Sequence, residues 1–317
     1  MAVRFTLREL DVFCAIARQE NVHRAAETLA LTQSAASQAL ARLEESLGRA
    51  LFDRHGRRLV LNENGRLLLP RAQALLDQAE ELHGLLSVDA QAEGAPFSLQ
   101  IAASTTIANY LVPVHLAALR RAHPRARVAL TVGNTGEVVA AVAALEVDFG
   151  LIEGPSHHPE LHIEPWREDD LIVFAAATHP LARGDCSLQD LADAPWLLRE
   201  PGSGTREEVE RSLLPLLGRM NVDMELGDSE AIKRAVAAGL GVSCLSSSVV
   251  ADLLAQGVVV ALSDRVPGLP PLKRMLHCIR HRDRALTRGT ARFLEIAAEA
   301  ATRKPLPSVH ASPRYVP

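Results

Sequence analysis

Thr32, Gln33, Ser34, Ser37, Gln38 and Arg42 crowd hydroxyls, amides and a guanidinium into one short stretch. Such groups hydrogen-bond to base edges and phosphates at close range. They act together only if a helix presents them together. Ala36, Leu40, Leu43 and Leu47 recur at spacings of four, three and four, which predicts one inward face of a helix over Gln33–Leu47. Ser34, Gln38, Ala41 and Glu45 fall on the opposite face, with Ser37 and Arg42 on its flanks. Thr32 is the N-cap residue of that helix, and Gly48 follows its last apolar position as a C′ residue should. Asn21 caps a shorter helix, Val22–Leu29, and Ala30-Leu31-Thr32 separates the two. Two helices joined by such a turn form a helix-turn-helix, whose second helix enters the major groove of DNA. A polar outer face is also the default of any surface helix.

The residues that follow favour the DNA reading. Leu51-Phe52 and Leu59-Val60-Leu61 are short β-prone runs around Asp53-Arg54-His55-Gly56-Arg57-Arg58, which predicts a hairpin carrying Arg54, Arg57 and Arg58. A cationic wing beside a helix-turn-helix suits phosphate contact or minor-groove insertion. Residues 1–71 hold eleven arginines against eight carboxylates, whereas the remainder holds 23 basic against 30 acidic residues. The net charge of −4 thus conceals a mildly basic head on an acidic body.

This opening resembles the LysR-type transcriptional regulators. The resemblance is carried by Phe5-Thr6-Leu7-Arg8-Glu9-Leu10, by Arg24-Ala25-Ala26, by the Leu-Thr-Gln-x-Ala-x-Ser-x-x-Leu-x-x-Leu-Glu run of Leu31–Glu44, by Leu51-Phe52-Asp53-Arg54 and by Gly65. It spans residues 5–70 and departs from the family pattern at Ser34, where Pro is usual, and at His23, where Ser or Thr is usual.

The rest of the chain is read from composition and pattern. With 317 residues, 48% of them hydrophobic, it is long enough for two or three domains with cores. No 18-residue apolar run and no signal peptide precede or interrupt the pattern, so a cytoplasmic, non-membrane protein is expected. Cys14, Cys186, Cys244 and Cys278 are scattered without a CxxC and read as reduced, buried thiols, with a redox-sensing pair as the sharper alternative.

Residues 1–62 are expected to form the winged helix-turn-helix domain, and residues 63–89 a long linker helix. In that helix Leu68, Ala72, Leu75, Ala79, Leu82 and Leu86 make a coiled-coil seam, which predicts a dimerising helix unless the face packs on its own body. Pro70 removes one backbone donor near its start. Residues 90–96 read as a hinge, and residues 301–317, with four prolines in 305–317, as a disordered tail.

From Phe97 strands and helices alternate, predicting α/β layers on a mostly parallel sheet. Strands are expected at 98–102, 127–132, 149–152, 171–176, 196–198, 223–226, 242–245, 258–262 and 275–280, with helices near 106–122, 136–145, 205–217, 229–238, 246–256 and 285–300. The family resemblance implies a periplasmic-binding-protein-like effector domain, with subdomain I at 97–168 plus 272–300 and subdomain II at 169–271.

Ligands of open α/β sheets bind beyond the carboxyl ends of strands, at helix N-termini. The loops there are Ser104-Thr105-Thr106, Gly133-Asn134-Thr135-Gly136, Glu153-Gly154 and Pro201-Gly202-Ser203-Gly204-Thr205. Hydroxyls with free backbone N–H groups can hold a small anion without a formal cation. Each loop alone is ordinary helix capping. The resemblance implies that Ser104, Thr106, Asn134, Thr135, Ser203 and Thr205 line one pocket. Glu153 would repel an anion unless paired, and Arg206 is the candidate partner.

His157, His158 and His162 in a Pro-flanked loop read as solvated rather than as a metal site, and no cofactor is expected. Gly202-Ser203-Gly204 lacks the G-x-S-x-G form of a nucleophile elbow, and Gly239-Leu240-Gly241 stands in the wrong order for a dinucleotide turn. The reading is therefore not an enzyme but a regulator that binds pseudo-palindromic double-stranded DNA and a small-molecule, anionic effector. It would act as a homodimer, with the homotetramer implied by the resemblance. The rivals are a cytoplasmic small-molecule-binding or transport component and an enzyme using the α/β cleft.

Overall fold

A computed structural model describes residues 4–55, 58–86, 97–154, 156–184, 186–263 and 265–302. Helix α1 (Leu7–Gln19) opens at Thr6, which forms a capping box with Glu9. Asn21 and Thr32 cap α2 (Val22–Thr28) and α3 (Gln33–Leu47), and Gly48 ends α3 in the left-handed region at φ 66°. Ala30 in the intervening turn also has a left-handed backbone, φ 53°, where a Cβ crowds the following carbonyl. Leu31 N–H closes that turn on the Ala26 carbonyl at 2.8 Å.

Leu10, Phe13, Ile16, Ala25, Ala36 and Leu43 build the core of this head, and Phe13 meets Phe52 edge-on at 5.6 Å. Ala39 is buried there, while Leu47, expected inward, is 36% exposed. Strands β1 (Phe52–His55) and β2 (Arg58–Leu61) pair antiparallel as the wing. Gly56 and Arg57 lie outside the described residues.

The seam expected on α4 (Glu63–Leu86) is corrected in its first half. Leu68 and Ala72 pack, with Leu69 and Leu76, onto the core of the same chain. The helix lies against α1, so its apolar face is already covered. Leu67 and Leu75 face outward, 63% and 41% exposed. Ala79 is half-buried, and Leu82 and Leu86 belong to the helix but their side chains fall outside the described residues. The hinge at 90–96 and the tail beyond Thr302 fall outside them as well.

A nine-stranded sheet follows. Its strands are β3 (Ser98–Ser104), β4 (Arg127–Gly133), β5 (Phe149–Glu153), β6 (Leu161–Ala176), β7 (Pro195–Leu198), β8 (Asn221–Glu225), β9 (Val242–Ser246), β10 (Val259–Ala261) and β11 (Leu272–His281). The order is β4-β3-β5-β11-β6-β9-β7-β8, with β10 on β6. Only the flanks are parallel, β4-β3-β5 on one side and β9-β7-β8 on the other. The expectation of a mostly parallel sheet fails at the centre, where β6 and β11 run antiparallel to each other and to their neighbours.

Strand β6 begins at Leu161, ahead of the expected Leu171. Its first half is too polar to alternate, and pairing with β11 holds it extended, with a bulge at Trp166, next to Pro165 and opposite Leu276 and His277. It then leaves β11 and pairs with β9 from Leu171 to Ala175. Two continuous strands thus carry the chain between two α/β blocks.

Helices α5 (Thr105–Tyr110), α6 (Val112–Ala122), α7 (Thr135–Ala143) and α12 (Arg288–Thr302) pack on the first block. One expected helix is therefore two, broken at Leu111 with Pro113 starting the second. Helices α8 (Leu188–Asp193), α9 (Gly204–Leu217), α10 (Ser229–Ala237) and α11 (Ser247–Ala255) pack on the second block. Leu99, Phe149, Leu276 and Phe293 center the larger core of the first block, and Trp196, Leu213, Val242 and Leu272 that of the second, each with a smaller cluster on the other face of the sheet around Val138 and Ile279 or Phe174 and Ile232.

Candidate functional site

The outward face of α3 is laid down by its buried one. Because Ala36, Leu40 and Leu43 turn inward, Thr32, Gln33, Ser34, Ser37, Gln38 and Arg42 stand exposed. The Thr32 hydroxyl accepts from Ala35 N–H at 3.1 Å and keeps its own proton to donate. Arg42 leans toward α1, with Nε 3.8 Å from Glu9 Oε1, a loose surface pair that a phosphate can displace. Arg54 and Arg58 lie in β1 and β2.

The second constellation forms where the first block meets the second. Gly136 N–H donates to the Gly202 carbonyl at 3.1 Å, and Gly204 N–H donates to Thr135 Oγ1 at 3.2 Å. The Thr135 hydroxyl in turn reaches the Glu153 carbonyl at 3.3 Å. Gly204 allows this approach, since a Cβ there would overlap the Glu153 carbonyl and lie 2.6 Å from Thr135 Oγ1. Gly154, with φ 76°, turns the chain away at the end of β5. Thr105 Oγ1 donates to the Gly133 carbonyl at 3.3 Å. Asn134 is occupied locally, its side chain accepting from Glu137 N–H at 2.9 Å.

Ser104 and Ser203 are N-cap residues of α5 and α9 that make no capping hydrogen bond. Thr6, Asn21, Thr32, Asn134, Ser187, Asp228 and Ser246 all cap their helices. Both serines are 1% exposed, and their hydroxyls have no partner. A buried polar group without a hydrogen bond is costly, and neither hydroxyl is engaged by its own helix.

Beneath them lies a buried ionic network that the sequence reading missed. Glu153 pairs with Arg274, not with the expected Arg206, at 3.5 Å from Nη1. Arg206 is held instead by Glu210 at 2.8 Å and Glu225 at 2.9 Å. Arg274 Nε donates to Asp169 Oδ2 at 2.8 Å, and Arg274 and Asp169 are register partners on β11 and β6. Ser246 Oγ donates to the other Asp169 oxygen at 2.7 Å. Arg274 Nη1 donates to Thr205 Oγ1 at 2.8 Å, and Thr205 donates on to Glu153 Oε2 at 2.7 Å. Burial by itself would raise the Glu153 pKa. Arg274, hydroxyls of Thr205 and Thr106, and the field of Arg199 outweigh it and hold the carboxyl below its ordinary range. Tyr110 of α5 bridges the blocks again by donating to Glu230 of α10, which pairs with Lys233 at 2.6 Å.

Other candidates are placed more plainly. His162 pairs with Glu164 at 2.8 Å on the surface, and no group of metal-ligating side chains forms among the described residues. All four cysteines are buried, and burial pushes the thiols of Cys244 and Cys278 up to about 12, far from thiolates at neutral pH. Among the described residues no helix is long and apolar enough to cross a membrane.

Comparison with known proteins agrees with this two-part layout. Residues 7–66 match the family described as bacterial regulatory helix-turn-helix protein, lysR family, and residues 92–302 match the LysR substrate binding domain. The uncharacterised HTH-type transcriptional regulator YeiE of Escherichia coli (strain K12) is 50% identical over 293 residues, covering 92% of this chain and 97% of its own. A full-length OxyR variant from Pseudomonas aeruginosa has the same overall structure, with a TM-score of 0.71 at 26% identity, covering 93% of this chain and 94% of that one. The regulatory domain of CcmR from Synechocystis PCC6803, solved in complex with 2-PG, has a TM-score of 0.59 at 28% identity and covers 66% of this chain and 98% of its own.

Proposed function

This chain belongs to the LysR family of transcriptional regulators, and from that premise we propose how its residues divide the work. Residues 1–62 read DNA, 63–89 link, 90–96 act as hinge, 97–168 with 272–300 form effector subdomain I, and 169–271 form subdomain II. Thr32, Gln33, Ser34, Ser37, Gln38 and Arg42 address base edges and phosphates from the major groove. Arg54, Arg57 and Arg58 address the flanking backbone. Two joined copies read a pseudo-palindromic site whose halves lie about 34 Å apart or a multiple of it. Since Leu68 and Ala72 are covered within the chain, the joining draws on the outward Leu67 and Leu75. Apolar side chains at the sheet edges, Val132 on β4 and Val222 and Met224 on β8, add to it and suit a higher assembly.

The effector is a small anion held by Ser104, Thr105, Thr106, Asn134, Thr135, Glu153, Gly154, Ser203, Gly204 and Thr205. The observation that carries this is the pair of buried N-cap serines whose hydroxyls leave their helices uncapped. Closure of the two subdomains on the ligand would shift the linker helices and so the spacing of the two reading heads. The cleft supports binding rather than turnover, because the Ser203 hydroxyl has no basic partner and Glu153, its pKa lowered by Arg274 and Thr205, is a weak base. The protein works in the cytoplasm, where its DNA is.

An electrophoretic shift assay at rising salt tests the DNA half. Gln38→Ala is expected to relax discrimination at particular bases, and Arg57→Ala to weaken every duplex alike with a salt slope smaller by about one. Equal, sequence-independent loss in both would contradict the assignment. For the effector half, Ser104→Ala and Ser203→Ala are expected to weaken thermal stabilisation by small anions while sparing ligand-free DNA binding. Unchanged stabilisation in both variants would refute the site.

A further inference from the structure

Among the described residues, Ser104 Oγ, Ser203 Oγ and Glu153 Oε1 are buried at the junction without a hydrogen-bond partner, whereas Arg274 Nη2, also outside hydrogen-bond geometry, lies 2.7 Å from Asp169 Oδ2. The topology places the first three together. Ser104 ends β3, which runs parallel to β5 with Ala103 opposite Leu151, and Glu153 ends β5. Gly204, the neighbour of Ser203, abuts the Glu153 backbone. The three atoms differ in chemistry. A serine hydroxyl can donate or accept, whereas an ionised carboxylate can only accept. Glu153 is ionised, being paired with Arg274 and hydrogen-bonded through Oε2 by Thr205. Glu153 is 1% exposed, and although the Thr106 hydroxyl lies near enough to favour its charge, Oε1 has no partner in hydrogen-bond geometry.

We propose that Glu153 Oε1 makes this cleft selective for a small anion that carries its own hydrogen-bond donor, such as a monoprotonated oxyanion or a 2-hydroxycarboxylate. The proposal rests on the anion reading above and refines it. The anionic oxygens of the ligand accept from the Ser104 and Ser203 hydroxyls at the starts of α5 and α9, where the fourteen-residue α9 adds its dipole. The donor of the ligand points at Glu153 Oε1. An anion with acceptors alone would set lone pair against lone pair and charge against charge in a site closed to water. Sites with a buried polar group discriminate strongly against a ligand that leaves the group unpaired.

Two matched pairs of probes test this on the full chain by isothermal titration and thermal shift. Above about pH 8, hydrogen phosphate and sulfate are both dianions of similar size, and only phosphate has an O–H. Glycolate and acetate are both carboxylates, and only glycolate has a hydroxyl. The donor-bearing member of at least one pair is expected to bind at least about tenfold tighter, and the pair that shows it separates an inorganic oxyanion from a hydroxy acid. Glu153→Gln supplies an N–H where the carboxylate stood, so the preference is expected to collapse to within about threefold or to reverse. Ser203→Ala is expected to weaken both members of the responding pair and keep their ratio.

Equal affinities within both pairs for the unaltered protein, or a tenfold preference that survives Glu153→Gln, would overturn the role of Glu153 while leaving the anion site standing. If no probe binds and Ser203→Ala changes nothing, the anion reading falls, and this proposal with it. The comparison within each pair uses the unaltered protein, so a folding defect in Glu153→Gln would not remove the test.

Discussion

Replacing Gly204 by alanine should pry the two α/β blocks apart at one point. The backbone there is not in the left-handed region, and alanine is welcome in the first turn of a helix, so the substitution adds no local strain. The added Cβ is what matters, because it would overlap the Glu153 carbonyl and stand 2.6 Å from Thr135 Oγ1. Ordinary carbon contacts begin near 3.5 Å, so the start of α9 must retreat by roughly 1 to 1.5 Å. That retreat lengthens Gly204 N–Thr135 Oγ1 from 3.2 Å and Gly136 N–Gly202 O from 3.1 Å beyond hydrogen-bond range. It also stretches the charge-assisted bond from Thr205 to Glu153, now 2.7 Å. At about 1 kcal/mol for each neutral bond and about 2 kcal/mol for the charged one, closure weakens by about 4 kcal/mol. This amounts to a shift of roughly a thousandfold toward the open form. Hydrogen exchange measures it without any ligand. Amides in segments 134–138 and 202–207 should exchange up to about a thousandfold faster, while those of β9 and of the α1–α3 head keep their protection. Gly227→Ala, whose Cβ would meet nothing within 4 Å, is the control. Protection in the two segments equal to the control would refute the claim that this contact holds the blocks together. Uniform acceleration everywhere would refute the claim that they open as separate units.

Three further outcomes follow from the same geometry. Ala30→Gly should raise the unfolding free energy measured in urea by about 1 kcal/mol or somewhat less, because Ala30 sits at φ 53° and glycine gives back part of the gain as chain entropy; a loss of stability would show the turn to be unstrained. Arg274→Met, at a side chain with no exposed surface, should cost roughly 3–5 kcal/mol in chemical denaturation by leaving Asp169 and Glu153 as buried unpaired charges; a loss below about 1 kcal/mol would show the network to be dispensable. His115 is wedged edge-on between Trp166 at 5.7 Å and Phe293 at 5.9 Å, and burial, with the Arg167 charge, lowers its pKa below the ordinary 6.5. The unfolded chain therefore binds more protons between the two pKa values. The His115 contribution is full above pH 6.5 and is lost as pH falls through the lowered value. Melting curves from neutral pH to about pH 5 should be flatter for His115→Phe than for the unaltered chain, and parallel curves would argue against a neutral His115.

The reading head was legible because its determinants are local. Asn21 and Thr32 cap the next turn of their own helices, and Ala36, Leu40 and Leu43 face inward by periodicity alone. The strands of the α/β part were likewise visible wherever a run was apolar. They were missed where pairing replaced burial, as in the polar first half of β6. The α4 seam shows the limit of periodicity. Heptad spacing marks a face that must be covered, but not by what, and Leu68 and Ala72 were covered by α1.

At the cleft the sequence determined the inventory and the fold decided the pairing. Hydroxyl-bearing loops before helices could be picked out along the chain, yet nothing local separates Ser187, which caps its helix, from Ser104 and Ser203, which do not. Arg206 stood close in sequence to the expected anion loop, whereas the partner of Glu153 proved to be Arg274, which also binds an aspartate 105 positions away. Helix periodicity and capping act over three or four residues, so a sequence carries them openly. Ion pairs and orphaned hydroxyls depend on which strand ends the sheet order brings together, and that order is set by the burial of two whole cores.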